Sequence, residues 1–223
     1  MEADVSAAVV AARELPGLYH FLMASVTGFV LAGGKSARMG RDKAFLAASG
    51  RSLLANALEL AGSVAAEVRI VGEGAKFSGF GAVVEDVYRD RGPLGGIHAA
   101  LESSQTEMNL VLAVDLPFLD AQFLHYMIAA ANGSEALVTV ARIGTYYEPL
   151  CAVYRRQFAS LAAAALAANR NKVDALFAGI PLRVIGDQEL ERNGFSTSMF
   201  RNMNTPAEWR QAQHEFARPD DVS

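Results

Sequence analysis

Short apolar runs that alternate with helix-like segments most limit how this 223-residue chain can fold. The run N-L-V-L-A-V-D at residues 109–115 is almost wholly apolar and ends in an acid, which is typical of a central parallel strand covered on both faces. Similar runs predict strands near 28–31, 67–72, 82–86, 136–142, 149–154 and 181–185. Helices are expected near 53–60, 94–102, 120–131 and 158–168. This alternation predicts an α/β fold with a mostly parallel central sheet.

The chain shows no internal repeat, low-complexity tract or linker, so we expect one domain over residues 25–217. Residues 1–24 are alanine-rich and are expected to be an extension that the chemistry does not need. G-T-Y-Y-E at 144–148 is expected to connect two strands. T-P-A-E at 205–208 is a capping box with proline at the first helical position, which predicts a last helix. The polar tail 218–223 should fray.

Composition excludes several classes of function. The formal net charge of −4 argues against a general nucleic-acid binder, which normally carries a basic excess. No apolar run approaches transmembrane length, so we expect no membrane association. Cys151 is the single cysteine, and it is expected to be a small buried residue in a reducing, cytoplasmic protein. None of the four histidines is paired at metal-ligand spacing.

The segment V-L-A-G-G-K-S-A-R-M-G-R-D-K at residues 30–43 follows the first predicted strand. Glycines 33 and 34 allow a tight turn and close approach of a ligand. Backbone N–H groups in such a turn can cradle phosphate oxygens, and Arg38, Arg41 and Lys43 can supply countercharge. We therefore expect a polyphosphate-binding loop here. The G-x-G-x-x-G fingerprint and the P-loop motif are both absent.

Acidic residues follow two of the other predicted strands. Asp115 ends the apolar run, and an acid in that place is desolvated on one side unless it is paired. A turn cap and a Mg²⁺ ligand are equally compatible with Asp115 alone, and the nearby phosphate loop favours the metal. Asp86 follows the third strand and either caps a turn or contacts a nucleoside. Because ligands bind at the carboxyl ends of parallel strands, we expect these groups to converge on one sheet edge.

Four motifs in this order resemble those of the molybdenum cofactor guanylyltransferase family. The first is the 30–43 segment, which a wider nucleotidyltransferase superfamily shares. R-G-P-L-G-G-I-H-A-A-L at 91–101 resembles the second glycine motif, and V-D-L-P-F-L at 114–119 resembles the metal-binding motif. N-M-N-T-P-A-E at 202–208 resembles the C-terminal signature, and this motif narrows the choice within the superfamily to the guanylyltransferase family.

The resemblance implies a single-domain, Rossmann-like nucleotidyltransferase fold with helices on both faces of the sheet. It implies that the protein transfers GMP from GTP to a molybdopterin that carries molybdenum, with Mg²⁺ as cofactor. It implies that Leu31, Ala32 and Gly33 hold the nucleotide through backbone groups and that Asp86 contacts the guanosine. Lys43 and Arg38 would stabilise the departing pyrophosphate, and Asp115 would hold Mg²⁺.

The resemblance places the acceptor towards the second half of the chain. The residues expected to line that part are Tyr147, Glu148, the 169–174 stretch, Asn202 and Asn204. The role also allows transient contacts with cofactor-insertion proteins or molybdoenzymes. One position departs from the family: some members carry an asparagine that touches the nucleotide after the second strand, where this chain has Gly72.

Three alternatives stay open from the sequence. A cytidylyltransferase acting on the same cofactor would share the first motif, as would a transferase acting on a sugar or polyol phosphate. A non-catalytic nucleotide-binding regulator on the same fold would bind GTP but release no pyrophosphate, and the presence of Lys43 and Asp115 argues against it.

Overall fold

The computed structural model describes residues 25–33, 43–48, 50–88 and 91–203, together with Glu208. The strands within these ranges are β1 (Val26–Leu31), β2 (Ala47–Ala48), β3 (Arg51–Ser52), β4 (Glu67–Val71), β5 (Val83–Val84), β6 (Met108–Ala113), β7 (Val138–Ile143), β8 (Tyr146–Arg155) and β9 (Leu182–Gly186). The α-helices are α1 (Leu53–Gly62), α2 (Gly74–Phe77), α3 (Pro93–Ser103), α4 (Ala121–Asn132), α5 (Phe158–Ala167) and α6 (Asp187–Arg192). Three 3₁₀-helices cover Lys43–Phe45, Asp174–Gly179 and Thr197–Phe200.

Seven of the described strands form one sheet in the order β5-β4-β1-β6-β8-β7-β9. Neighbours from β5 to β6 pair in parallel, as do β7 and β9, whereas β8 runs antiparallel to both of its neighbours. The expected mostly parallel α/β sheet is therefore confirmed, with one reversed strand inserted. Strands β2 and β3 form a separate antiparallel pair.

Both faces of the sheet are covered, which explains why β1 and β6 are buried along their whole length. Val30 and Leu112 belong to the core shared with α1 and α4. Phe29 and Val111, which point to the opposite face, belong to the core shared with α3 and α5. The two cores share one sheet, so the described chain is a single α/β domain with helices on both sides.

Side-chain caps set two of the helix starts. The Ser52 hydroxyl accepts a hydrogen bond from the Ala55 N–H at the start of α1. The Asp120 carboxylate accepts one from the Gln122 N–H at 2.7 Å, which caps the start of α4. Helix α3 begins with Pro93 after Gly92, whose φ of 68° suits glycine.

The connection predicted at 144–148 is shorter in the structure. Gly144 and Thr145 alone form the turn, and β8 already begins at Tyr146. The prediction was wrong about residues 146–148 because their polar and aromatic character conceals a strand that extends past the buried part of the sheet. The short helices α2 and α6 were not predicted. The 1–24 extension, the tail 218–223 and Thr205 to Ala207 of the predicted capping box lie outside the described residues.

None of the helices in the described part of the chain is both long enough and apolar enough to span a membrane.

Candidate functional site

The site lies where β1 and β6 end side by side. Leu31 is opposite Ala113 at the ends of the two parallel strands, and the Val114 N–H donates to the Leu31 carbonyl at 3.2 Å. This bond continues the ladder one residue beyond the strands. It places Asp115 beside the start of the glycine loop, as expected for parallel strands that end at one edge.

Lys43 and Asp115 meet at this edge although 72 residues separate them. The Lys43 Nζ donates to Asp115 Oδ2 at 3.2 Å. The side chains keep 18% and 23% of their exposed surface, so the pair is partly withdrawn from water yet open to a ligand. The predicted meeting of the loop's lysine with the strand-end acid is thus present in the structure, whereas Arg38 and Arg41 lie outside the described residues.

The first residues of the glycine loop are anchored to β4. The N–H groups of Ala32 and Gly33 both donate to the Val71 carbonyl, at 3.0 and 3.2 Å. These two N–H groups are engaged within the protein, so a backbone contact of Ala32 or Gly33 with a nucleotide would come from its carbonyl group. Gly33 is exposed at the end of the described segment, whereas Leu31 and Ala32 are buried.

Gly72 follows β4 and lies against a buried aromatic ring. A Cβ atom built on Gly72 would lie 2.7 Å from Cε2 of Phe77. Phe77 belongs to α2 and is buried in the core, so its ring cannot move aside without cost. A side chain at position 72 would therefore disturb the packing of Phe77, and position 72 offers a ligand only backbone groups.

Asp86 forms the turn that leads from β5 to α3. Its Oδ1 accepts a hydrogen bond from the Tyr88 N–H at 2.8 Å. The carboxylate also lies against the first turn of α3, where a Cβ on Gly95 would approach Asp86 Oδ2 to 2.5 Å. Asp86 is half-buried, so the structure gives it the turn role while leaving part of the carboxylate accessible.

Glu148 lies beside Asp115, which sequence reasoning did not foresee. Leu112 of β6 is opposite Cys151 of β8, and the strands run antiparallel, so the start of β8 lies alongside the end of β6. Burial and the negative charge of Asp115 both raise the pKa of the half-buried Glu148. The signal in the sequence was the E-P-L-C-A run, but only the reversed strand direction brings its first residue to this edge.

Residues 201–203 lie against the 114–119 segment. The Met203 N–H donates to the Asp115 carbonyl at 3.2 Å, and the Arg201 guanidinium lies 4.3 Å from the Phe118 ring centre. Asn202 is exposed between these two contacts, and Asn204 lies outside the described residues. The motif at 202–208 therefore begins at the same edge as Asp115.

The stretch 169–174 reaches the same edge from the other side. Helix α5 packs against α3, and its C-terminal end brings Asn169 within hydrogen-bonding reach of the Arg91 guanidinium. The Tyr147 ring meets Phe177 edge-on at 5.2 Å. Oδ1 of Asn171 is buried and has no hydrogen-bond partner among the described residues. These two contacts join the 169–177 segment to β8 and to the turn before α3.

The cysteine and one histidine are buried in the fold. Cys151 is fully buried, and burial raises the pKa of its thiol far above the usual range. His98 is buried in α3 and packs edge-on against Tyr88. Among the described residues, no three or more His, Cys, Asp or Glu side chains are grouped to hold a metal ion. A cation at this edge would therefore need substrate oxygens or water in addition to carboxylates.

Comparison with known proteins identifies the architecture. The family model of the MobA-like NTP transferase domain matches residues 28–184. A probable molybdenum cofactor guanylyltransferase of Pelotomaculum thermopropionicum is 33% identical over 83% of this chain and 91% of its own length. The molybdenum cofactor guanylyltransferase of Syntrophotalea carbinolica is 30% identical over 79% of this chain and 85% of its own length.

A solved structure supports the fold independently. The molybdopterin-guanine dinucleotide biosynthesis protein A of Archaeoglobus fulgidus superposes with a TM-score of 0.75, covering 85% of this chain and 97% of its own. Its sequence is 22% identical, so this likeness concerns the fold. The matched family region contains most of β1 together with Lys43, Asp86 and Asp115. The chain therefore belongs to the MobA-like NTP transferase family, and it is a nucleotidyltransferase.

Proposed function

We propose that this protein transfers GMP from GTP to a molybdopterin cofactor that carries molybdenum, forming molybdopterin guanine dinucleotide and pyrophosphate. The observation that carries the proposal is the contact of Lys43 with Asp115 at the carboxyl edge of β1 and β6. Relatives that bear the guanylyltransferase name match most of the chain, which supports the choice of substrates.

The reaction needs positioning and charge neutralisation more than proton transfer. A terminal phosphate oxygen of the acceptor attacks the α-phosphorus of GTP, and the bond from that phosphorus to the bridging oxygen breaks as pyrophosphate leaves. The attacking oxygen is already ionised near neutral pH, so no general base is required. This accords with a site whose described residues include a lysine and carboxylates and whose buried histidine, His98, packs against a tyrosine.

The residues fit a divalent cation, which we propose is Mg²⁺. Asp115 is partly exposed at the edge, and the register of β6 with β8 brings the half-buried Glu148 towards it. Carboxylates placed in this way suit a cation that also binds substrate phosphates. When bound, Mg²⁺ would polarise the phosphate oxygens and neutralise charge that develops on them.

Lys43 is expected to change partners during binding. Without nucleotide its ammonium compensates the charge of Asp115. The phosphates of GTP offer it a stronger counter-ion, and we propose that Lys43 then stabilises the departing pyrophosphate together with Arg38. Asp115 is thereby released for the cation.

The remaining contacts follow the arrangement of the edge. We propose that backbone groups of Leu31, Ala32 and Gly33 hold the nucleotide and that the accessible part of Asp86 binds the guanosine. The acceptor would lie against Tyr147 and the 169–174 stretch. Transient contacts with cofactor-insertion proteins or molybdoenzymes, and a cytoplasmic location, belong to the same proposal.

The test is nucleotide-dependent pyrophosphate release. Purified protein is incubated with Mg²⁺ and the molybdenum-loaded cofactor, with GTP, CTP, ATP and UTP in separate reactions. We expect release with GTP, and none when either Mg²⁺ or the acceptor is omitted. Faster release with CTP would identify a cytidylyltransferase, and binding of GTP without release would identify a nucleotide-binding regulator.

A further inference from the structure

The start of β8 brings a second carboxylate to the reaction edge. Because β8 is antiparallel to β6, its first residues lie where β6 ends, and Glu148 is the acidic residue among them. Its side chain is half-buried, and continuing the register of Leu112 with Cys151 by three residues brings Glu148 opposite Asp115. No side-chain hydrogen bond or ion pair of Glu148 is present within the described ranges, so it is not explained as part of a structural network.

Lys43 pairs with Asp115, whereas Glu148 forms no ion pair within the described residues. Asp115 has the Lys43 ammonium at 3.2 Å as its counter-ion. Glu148 shares that neighbourhood, and one lysine compensates only one of the two carboxylates. Once Lys43 moves to the triphosphate, both acids are left beside each other in a partly desolvated place, which is costly unless a cation joins them.

We propose that Glu148 is the second carboxylate ligand of the divalent cation that Asp115 holds. This inference rests on the proposed function only in placing a cation at Asp115. It makes Glu148 a metal ligand, whereas the resemblance alone would place Glu148 among the residues that line the acceptor site. Two carboxylates together with substrate phosphates are a common ligand set for Mg²⁺.

Glu148 should weaken nucleotide binding when no metal is present and strengthen it when Mg²⁺ is present. Without metal, its negative charge repels the triphosphate, so Glu148→Gln should bind the nucleotide as tightly as the wild type or more tightly. With Mg²⁺, the variant lacks a ligand and should bind more weakly. A residue that only lines the acceptor site would leave the gain in affinity from Mg²⁺ unchanged.

The experiment measures binding rather than turnover. Isothermal titration calorimetry with a non-hydrolysable GTP analogue, in Mg²⁺ and in EDTA, gives the factor by which Mg²⁺ strengthens binding. We expect Glu148→Gln to reduce this factor about tenfold or more, in the range typical of weakened metal sites. Glu148→Asp, which keeps the charge but shortens the side chain, should reduce it less.

Glu102→Gln is the matched control, since Glu102 is exposed near the end of α3 away from the strand ends. Its Mg²⁺ factor should equal that of the wild type. The thermal midpoint of Glu148→Gln should equal or exceed that of the wild type, because a repulsion with Asp115 is removed. An unchanged Mg²⁺ factor in a folded Glu148→Gln would overturn the proposal. If the wild type binds the CTP analogue instead, the proposed base is wrong while the same comparison with CTP still tests Glu148.

Discussion

At the scale of single residues, the charge balance of the site depends on the contact between one lysine and one carboxylate. Lys43 and Asp115 are far apart in the chain but in contact at the sheet edge, so each keeps the other's charge compensated before substrate arrives. This pre-formed pair lowers the cost of holding an acid in a partly desolvated place. It also means that nucleotide binding is an exchange of partners for Lys43.

Gly72 shows how packing can require glycine at one residue beside the site. We expect Gly72→Ala to destabilise the protein by about 1–3 kcal/mol, because the new methyl group would overlap the Phe77 ring. Urea denaturation measures this loss. A Gly72→Ala change in a Phe77→Leu background should cost less, since the ring atoms that it meets are gone.

Gly79→Ala is the matched control for this prediction. No atom lies within 4 Å of a Cβ built on Gly79, and its backbone is not in the left-handed region. The change should be neutral or slightly stabilising. Equal effects of the two alanine substitutions would show that Phe77 does not exclude a side chain at position 72.

At the scale of elements, the contact of α3 with the turn after β5 positions a nucleotide-binding candidate. A methyl group on Gly95 would push against both the Asp86 carboxylate and the Tyr88 carbonyl. We expect Gly95→Ala to weaken GTP binding roughly tenfold, which corresponds to the loss of one charged hydrogen bond. Calorimetric titration with a GTP analogue measures the change.

Gly62→Ala serves as the control because the nearest atom to its Cβ would be 4.0 Å away, at the exposed end of α1. It should bind the analogue as the wild type does. Wild-type affinity in Gly95→Ala would remove Asp86 from the nucleotide site and leave it the turn role alone.

A second inter-element contact predicts how stability depends on pH. Glu189 of α6 accepts hydrogen bonds from Arg183 of β9 and, at 2.6 Å, from the Tyr126 hydroxyl of α4. Burial opposes ionisation of Glu189, but these bonds outweigh it and lower its pKa. Burial and the contact with Glu189 raise the pKa of Tyr126 to about 12.

The two shifts act at opposite ends of the pH scale. Because the folded-state pKa of Glu189 is lowered, its stabilisation is present above pH 4.5 and is lost as the pH falls through the folded-state value. Because that of Tyr126 is raised from 10.0, its stabilisation is present below pH 10 and is lost towards pH 12. Chemical denaturation as a function of pH follows both losses.

Glu189→Gln should cost about 1–2 kcal/mol near neutral pH, as expected for hydrogen bonds to a charged group, and should flatten the acid limb of the profile. Glu191→Gln, an exposed change in the same helix, is the control and should keep the wild-type profile. An unaltered acid limb in Glu189→Gln would show that this cluster does not control acid stability.

At the scale of the whole molecule, most of the fold followed from local patterns. Buried parallel strands such as β1 and β6 are continuous apolar runs, and Asp115 was identifiable because an acid ends such a run. The convergence of Lys43 with Asp115 followed from topology, since adjacent parallel strands end at one edge. The Asp120 cap is likewise a local feature.

What could not be predicted depends on contacts between distant parts of the chain. Strand β8 runs antiparallel to β6, so its first residues reach the site and its last residues do not. Residues that follow the predicted strands therefore do not include Glu148, which lies beside Asp115. The exclusion of a side chain at Gly72 depends on Phe77, which comes from a four-residue helix too short for a periodic pattern. Arg91 meets Asn169 only through the packing of α3 against α5.

The central claim is that Asp115 and Lys43 form the centre of a GMP transfer. The direct measurement follows GTP labelled at the α-phosphate, incubated with Mg²⁺ and the molybdenum-loaded cofactor. The wild type and Asp120→Asn, a change that preserves the helix cap, should both move the label into the dinucleotide product. Asp115→Asn should lower the rate on the order of 100-fold or more while folding normally. Transfer by Asp115→Asn at the wild-type rate, or label found only in GDP with the wild type, would contradict the account.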